Sequence, residues 1–442
     1  MRFKPSIAVV LQPSFEVARL LLVRVISARP NVQGCSFTTL EILIRKICDM
    51  SETTIETIWP QAIAACDYGG SATKILYAGA KNQIRLLCME PEVVSVPQES
   101  ILAYGRDQLG SAEPENTAWV AFRNDYRAVG YLAKERFHAN AGLSELKYER
   151  ALHKTLAAMW AIKEKLNLPP NFTAAIAALL PPGEYEDRNR FERVLREALA
   201  DYQTPTGQMS VELLAFNCKP EGGGIYLMHN KKVGSVLKER VCAIAMIGYR
   251  NASLLVVQRG DVRPGKTSDL GFIRMVERVV AKTSGQTAER LTPAIVAAGT
   301  QFKAAPLMRL ARSTTKQGRA EEVQQIIAAI EEARPEYARS LTSWLDENLP
   351  SDCDELVFCG GTADYLRNEL NEHYDRCPII WNAEIAMPPI LSKKGFENRL
   401  NDVYGMFSYF KANLKKQFND RVTESAVCGS KGSVLQEIVA RG

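Results

Sequence analysis

Histidine is scarce in this chain: four occur in 442 residues, at His138, His153, His229 and His373. They are widely scattered, which speaks against a histidine-centred catalytic constellation. Ten cysteines are present, but no two form a C-x-x-C pair, so their spacing gives no support to zinc or iron–sulfur ligation. Cys66, Cys242 and Cys359 sit inside or beside apolar runs, the usual place of a small buried thiol. This usage fits a reducing cytoplasm. Long apolar runs are also missing, since no stretch reaches the ~20 uninterrupted residues of a membrane span. The segment from Ser6 to Ala28 comes nearest, yet Glu16, Arg19 and Arg24 interrupt it. It has no small-residue cleavage site after a short apolar region, so neither membrane insertion nor a signal peptide is expected. Finally, charge of one sign is lacking: 55 Lys and Arg stand against 50 Asp and Glu, a net +5. A nucleic-acid-binding domain usually concentrates its basic residues. The densest basic stretch, Lys411 to Lys416 with Arg421, reads as a solvated helix face, so no direct nucleic-acid binding is expected.

What remains is a chain 46% apolar and 24% charged, an ordinary soluble composition long enough for two domains. Residues 1–60 read differently from the rest, as apolar patches broken by Pro13 and Pro30. Either the natural chain begins at Met50 and the preceding residues are not native, or the segment is an arm that docks on a partner. From Ala62 onward, short apolar strands and amphipathic helices alternate, the pattern of an α/β protein. Strands are expected at Ala62–Cys66, Ile75–Tyr77, Ala118–Arg123, Ala128–Tyr131, Phe172–Leu180, Val211–Asn217, Cys242–Ile247, Ser253–Gln258 and Leu356–Cys359. Helices are expected at Leu146–Leu166, Asp187–Tyr202, through most of 268–345, and at Ala363–His373. No internal repeat is evident at residue level.

Three glycine-bearing turns follow apolar strands: Asp67-Tyr68-Gly69-Gly70-Ser71-Ala72-Thr73-Lys74, then the turn around Gly248-Tyr249-Arg250-Asn251, then Gly360-Gly361-Thr362. Inward-pointing amides in such turns bind phosphate chains, and glycine lets the backbone approach closely. Asp67, at a strand end, can hold Mg²⁺ through water, because that ion keeps much of its hydration shell. Lys74, across the hairpin, can direct its ammonium at the β- and γ-phosphates. Any one of these turns alone would read as a plain connection.

In this order, the three turns resemble the phosphate 1, phosphate 2 and adenosine motifs of the actin/Hsp70/hexokinase superfamily. Leu180-Pro181-Pro182-Gly183-Glu184-Tyr185-Glu186-Asp187-Arg188-Asn189, and Pro220-Glu221 followed by glycines, narrow the resemblance to bacterial actin-like ATPases of the ParM/StbA plasmid-segregation type. It covers roughly residues 62–410. The resemblance implies a duplicated, ribonuclease H-like two-domain fold around a nucleotide cleft, with domains at 61–240 and 241–390 and a C-terminal return segment and tail at 391–442. It also implies ATP (or GTP) with Mg²⁺ as cofactors, and ATP hydrolysis coupled to turnover of a homopolymeric filament. A DNA-binding adaptor protein is the implied partner. Catalysis would fall to Asp67 and to Glu184, which would help position the attacking water. Nucleotide would be held by Asp67, Gly69, Gly70, Ser71, Thr73, Lys74, Gly248, Arg250, Asn251, Gly360, Gly361 and Thr362. One position departs from the family: Met246 stands where the second phosphate turn normally begins with aspartate. A thioether is a poor ligand for Mg²⁺, so nucleotide binding is a safer expectation than fast hydrolysis.

Two other nucleotide readings compete. Gly260-Asp261-Val262-Arg263-Pro264-Gly265-Lys266-Thr267 matches a Walker-type loop at every fixed position, after a strand and before an expected helix at Asp269–Val280. No apolar strand ending in aspartate follows it to hold magnesium. The same residues also read as a polar surface connection that caps the next helix. A small-molecule kinase of the same superfamily is the other alternative, but no second-substrate constellation is evident. A scaffold binding ATP without turnover also stays open, given Met246, whereas too few residues remain for an Hsp70-type substrate-binding domain.

Overall fold

The computed structural model describes residues 59–106, 110–392 and 395–418. Apart from Trp59 and Pro60, the extension expected at 1–60 lies outside the described residues, as does the tail beyond 418.

Strand β1 (Ala62–Tyr68) shows why the first sheet forms. Its residues alternate between two apolar surfaces. Ala62, Ala64, Cys66 and Tyr68 face a core shared with the helices Lys147–Leu166 and Arg188–Ala200, while Ile63 and Ala65 face the opposite core. A strand buried on both faces must be apolar throughout, and its many alanines let helices approach closely. The sheet contains β2 (Thr73–Ala78), β3 (Arg85–Met89), β4 (Val93–Ser95), β5 (Trp119–Phe122), β6 (Asp125–Val129), β7 (Asn171–Leu180), β8 (Tyr202–Thr204) and β9 (Gly207–Pro220). Their spatial order is β3-β2-β1-β7-β9-β8-β5-β6-β4. The long β9 runs parallel to β7 and antiparallel to β8, which carries the small β8-β5-β6-β4 extension.

The second sheet contains β10 (Val241–Ile247), β11 (Ala252–Gln258), β12 (Asp261–Val262), β13 (Lys266–Ser268), β14 (Glu355–Cys359) and β15 (Ile379–Trp381). Its order is β12-β11-β10-β14-β15, with β13 also paired to β11. This arrangement repeats the first sheet's core. In each, a central strand pairs antiparallel with the next and parallel with a third: β1 with β2 and β7, and β10 with β11 and β14. Asp67 lies opposite Lys74, and in the equivalent place Met246 lies opposite Ser253. The duplication is therefore real, although it leaves no trace at residue level.

The chain leaves the first lobe through the helix Gly223–Val233, which packs on the second sheet through Ile225 and Val233. It returns through the helix at 401–418, where Val403, Met406, Phe407, Phe410 and Leu414 pack on the first sheet. The two helices cross where Gly224 meets Gly405. A Cβ at Gly224 would sit 1.9 Å from the Asp402 carbonyl oxygen, and one at Gly405 would sit 2.2 Å from that of Gly224. Only glycine fits on either side.

Several expected boundaries shift. The helix expected at Asp187–Tyr202 covers Arg188–Ala200, and Tyr202 begins β8. The strand expected to reach Tyr131 ends at Val129, and Tyr131 opens a helix after Gly130. The Ala363–His373 helix is two pieces, Gly361–Tyr365 and Arg367–His373, broken at Leu366. The Walker-type reading is overturned. Lys266 and Thr267 form strand β13 against Leu254 and Ser253, and the next helix starts only at Phe272 with Gly271 as its cap. Thus Gly-Lys-Thr neither cradles a phosphate ahead of a helix nor caps one. Gly265 packs against Pro182, where a Cβ would come within 2.6 Å. Lys415 and Lys416 are exposed on the C-terminal helix, as the solvated-face reading expects.

Overpacking a tight crossing costs roughly 1–3 kcal/mol. Gly224→Ala should therefore lower the urea midpoint by at least that equivalent, whereas Gly105→Ala, in the helix Gln98–Arg106 where a Cβ meets nothing within 4 Å, should leave it unchanged or slightly raised. An unchanged midpoint for Gly224→Ala would show that the helices do not cross here.

Candidate nucleotide cleft

A cleft of about 840 Å³ opens between the lobes, within the size range of small-molecule sites. Its floor is made by the ends of β1 and β10. Asp67 is buried there, and its carboxylate pairs with the Lys74 ammonium at 2.5 Å. Lys74 also donates to the Arg399 carbonyl at 3.0 Å, and the Arg399 guanidinium donates to Ser71 Oγ at 3.1 Å. The return segment thus pins the first hairpin from behind. The two hairpin turns touch, since a Cβ at Gly70 would lie 3.0 Å from that of Arg250.

The third turn closes the site from the second lobe. Gly360 holds φ at 96°, and any Cβ there would meet the Ile247 carbonyl at 2.4 Å, so glycine is required on both counts. Thr362 donates its hydroxyl to the Gly248 carbonyl at 2.9 Å, tying the second and third turns together. At Gly361 the nearest neighbour is the Arg399 side chain, 3.2 Å from a Cβ. Tyr249, Phe272, Tyr365, Pro293 and Val296 supply an apolar wall. The Phe272 and Tyr365 rings pack edge to face at 5.1 Å.

Of the residues expected to hold nucleotide, Asp67, Gly69, Gly70, Ser71, Lys74, Gly248, Arg250, Asn251, Gly360, Gly361 and Thr362 line this cleft. Thr73 and Glu184 do not. Thr73 is fully buried within β2. Glu184 lies outside the lining: its carboxylate accepts from the Tyr148 amide at 3.1 Å and lies 3.9 Å from the Arg250 guanidinium. Burial pushes the Glu184 carboxyl above its ordinary range. No residue of the 260–267 stretch lines the cleft.

Sequence reasoning missed three charged side chains. Glu221 is buried and pairs with Lys147, while its other oxygen accepts from Ser253 Oγ at 3.4 Å. Asp402 is buried at the start of the return helix and accepts from the amides of Gly222 and Ile225, at 2.9 and 3.1 Å. It thereby caps the outgoing inter-lobe helix, where partial positive charge favours an anion. Burial outweighs those two hydrogen bonds and, with the neighbouring Asp67 and Glu221, pushes the Asp402 carboxyl up to about 7. Lys147 begins a helix whose period alone gave no reason to single it out. The Pro-Glu-Gly-Gly-Gly signal at 220–224 was visible, but only the fold aims Glu221 into the cleft. At the mouth, Lys134 of the first lobe pairs with Glu289 of the second at 3.0 Å.

Asp67, Glu221 and Asp402 all line the floor, but Asp67 and Glu221 are each paired with a lysine and the three do not form a close ligand group, so a hydrated Mg²⁺ fits them better than a directly ligated one. Met246, half-buried among them, adds no oxygen donor.

No protein-family model and no curated protein matches the chain. Solved structures do match. The 15-stranded ParM filament of Clostridium botulinum superposes with a TM-score of 0.53 at 14% identity, covering 80% of this chain and 100% of that one. An archaeal actin homolog gives 0.50 at 14% identity over 79% of this chain and 99% of its own. The fold is actin-like. Bacillus thuringiensis ParM with AMPPNP shares the actin-like fold at a TM-score of 0.50 and 14% identity, covering 81% and 100% of the two chains. Within this actin-like frame, the duplicated sheets and the cleft between them follow the α/β expectation. Among the described residues no helix is long and apolar enough to cross a membrane.

The raised Asp402 carboxyl has a signed consequence. Between about pH 4 and 7 the folded protein holds a proton that the unfolded chain has released, so this group's contribution to stability falls as pH rises through that window. Nucleotide-free Asp402→Asn should gain on the parent by roughly 2–4 kcal/mol between pH 4.5 and pH 8, read by urea unfolding at each pH. A constant difference between the two proteins would remove the shifted carboxyl.

Proposed function

We propose that this chain binds ATP with Mg²⁺ in the inter-lobe cleft and assembles into filaments in the manner of ParM-type proteins. One observation carries the reading: the Asp67–Lys74 pair, the Arg250 turn and the Gly360–Thr362 turn converge on one cavity from two lobes. The shared fold with a ParM solved with AMPPNP and with a ParM filament supports it. Lys74 and Arg250 would bind the phosphate oxygens, and the apolar wall of Tyr249, Phe272 and Tyr365 would receive the base. Asp67 would hold the metal through water, with Glu221 and Asp402 beside it. Bound there, Mg²⁺ would neutralise phosphate charge. Because Met246 occupies the place equivalent to Asp67, the second lobe offers no matching carboxylate, and hydrolysis is proposed to be slow. A head-to-tail contact that does not close on itself produces an open filament, and a DNA-binding adaptor coupling such filaments to segregation completes the proposal.

Lys74→Ala should weaken ATP binding at least about ten-fold, a loss of ~1.4 kcal/mol or more, and abolish ATP-dependent light scattering. Lys266→Ala should change neither. The reverse pattern, with circular dichroism showing both variants folded, would return the phosphates to 260–267. Phosphate transfer to a metabolite without scattering would favour a small-molecule kinase instead.

Glu184 is proposed to act on the attacking water by way of Arg250 rather than by lining the cleft. Glu184→Gln should therefore leave ATP affinity and assembly intact while slowing phosphate release about ten-fold or more. Undiminished release rules out that role.

A further inference from the structure

At the end of β10 away from the nucleotide cleft, three potential metal ligands meet under the outgoing inter-lobe helix. They are His229 of that helix, Cys242 of β10 and Glu355 of β14, and their ligand atoms all lie within 4.8 Å of one another. This is the one such group among the described residues. We propose that His229, Cys242 and Glu355 form a site for a borderline-soft divalent metal ion of the zinc class.

Four observations carry this. The first is burial: Cys242 is fully enclosed, and His229 and Glu355 are each 2% exposed. So deep a cluster is held in place by its packing, with Arg240 and His229 as the partners of the Glu355 charge in the metal-free protein. The second is the donor set. Thiolate sulfur, imidazole nitrogen and carboxylate oxygen are the zinc ligands, whereas Mg²⁺ and Ca²⁺ take oxygen alone.

The third is distance. Zinc bonds of ~2.0–2.3 Å in a tetrahedron place donors ~3.3–3.8 Å apart. Donors already within 4.8 Å need inward movements of about an ångström at most to reach that spacing. His229 Nε2 and Glu355 Oε1 are 2.8 Å apart, so they would part slightly around the ion.

The fourth is the surrounding shell. Arg240 donates to the second carboxylate oxygen, Glu355 Oε2, at 3.1 Å, the kind of outer contact that orients a ligating carboxylate. His229 Nδ1 has no hydrogen-bond partner among the described residues, so Nε2, which faces Glu355 Oε1, is the ring nitrogen placed to ligate and Nδ1 adds nothing to this shell. The Arg240 side chain is 45% exposed, so this outer contact lies on the solvent side of the cluster.

Among the ligands themselves the charge of the ion is neutralised, with Arg240 outside them turned partly to water. The Cys242 proton leaves to solvent as the metal–sulfur bond forms. The dication then faces one thiolate, one carboxylate and a neutral imidazole. The ion would join the inter-lobe helix to two strands of the second sheet, on the same helix whose first turn receives the Asp402 cap.

The test uses the full chain after chelator treatment, with Co²⁺ as a spectroscopic probe and then Zn²⁺. Co²⁺ should add one equivalent with a thiolate charge-transfer band and tetrahedral d–d absorption, and Zn²⁺ should displace it. Cys242→Ser should lose the charge-transfer band. His229→Gln and Glu355→Gln should each weaken Co²⁺ at least about ten-fold. Circular dichroism and ATP binding report whether each variant is folded, and if one fails, the remaining two decide. Zn²⁺ should also raise the melting temperature of the parent and not of the variants. Absence of a charge-transfer band in the parent, or the same band in folded Cys242→Ser, overturns the site.

Discussion

Two helices cross between the lobes with backbone against backbone, and the cleft above them exists because they do. The outgoing helix leaves the first sheet and covers a face of the second, and the returning helix does the reverse. Each lobe is thus completed by a segment that arrives from the other. A side chain at Gly224 or Gly405 would separate the helices, and the strand ends that carry Asp67 and Met246 would separate with them. Asp402 sits at the same crossing, with its carboxylate on the first turn of the outgoing helix and its backbone against Gly224. One short stretch therefore sets both the spacing of the lobes and the charge at the cleft floor.

Duplication gave two hairpins the same register but not the same chemistry. Where the first presents a carboxylate opposite an ammonium, the second presents a thioether opposite a hydroxyl. The Ser253 hydroxyl turns to Glu221, so it reinforces an acid supplied by the first lobe. The floor is accordingly lopsided: its carboxylates come from the first lobe and the returning helix, while the second lobe supplies Arg250, the apolar wall and the backbone of Gly248 and Gly360. A ligand with one polyanionic end and one flat apolar end matches that division.

The glycine turns were legible in sequence because turn chemistry is local: a strand, a glycine and a polar residue within a few positions announce a backbone that must come close to something. Gly360, with its positive φ, is the plainest instance. Glu221 and Asp402 were not legible as partners, since nothing in the spacing of residues so far apart says that one lies beside the other. The Walker-type match failed for a related reason. Its residues are right, but a phosphate loop needs a helix to start at its lysine, and Lys266 is instead committed to pairing with Leu254. Cys242 showed the opposite gap: absence of a C-x-x-C pair says nothing about a thiol that meets a histidine and a glutamate through tertiary packing. Duplication was implied by the family resemblance but left no repeat to read in the residues themselves, because strand register is retained by backbone pairing while side chains diverge.

The ion pair at the cleft mouth sets how readily the lobes part. Lys134 and Glu289 belong to helices of different lobes, and the glutamate is largely open to water. A pair so exposed is worth only ~0–1 kcal/mol and is screened by salt. So weak a latch leaves an empty cleft to be held by deeper contacts between the lobes, such as Ser253 Oγ on Glu221 and the Gly183 amide on Thr267 Oγ1.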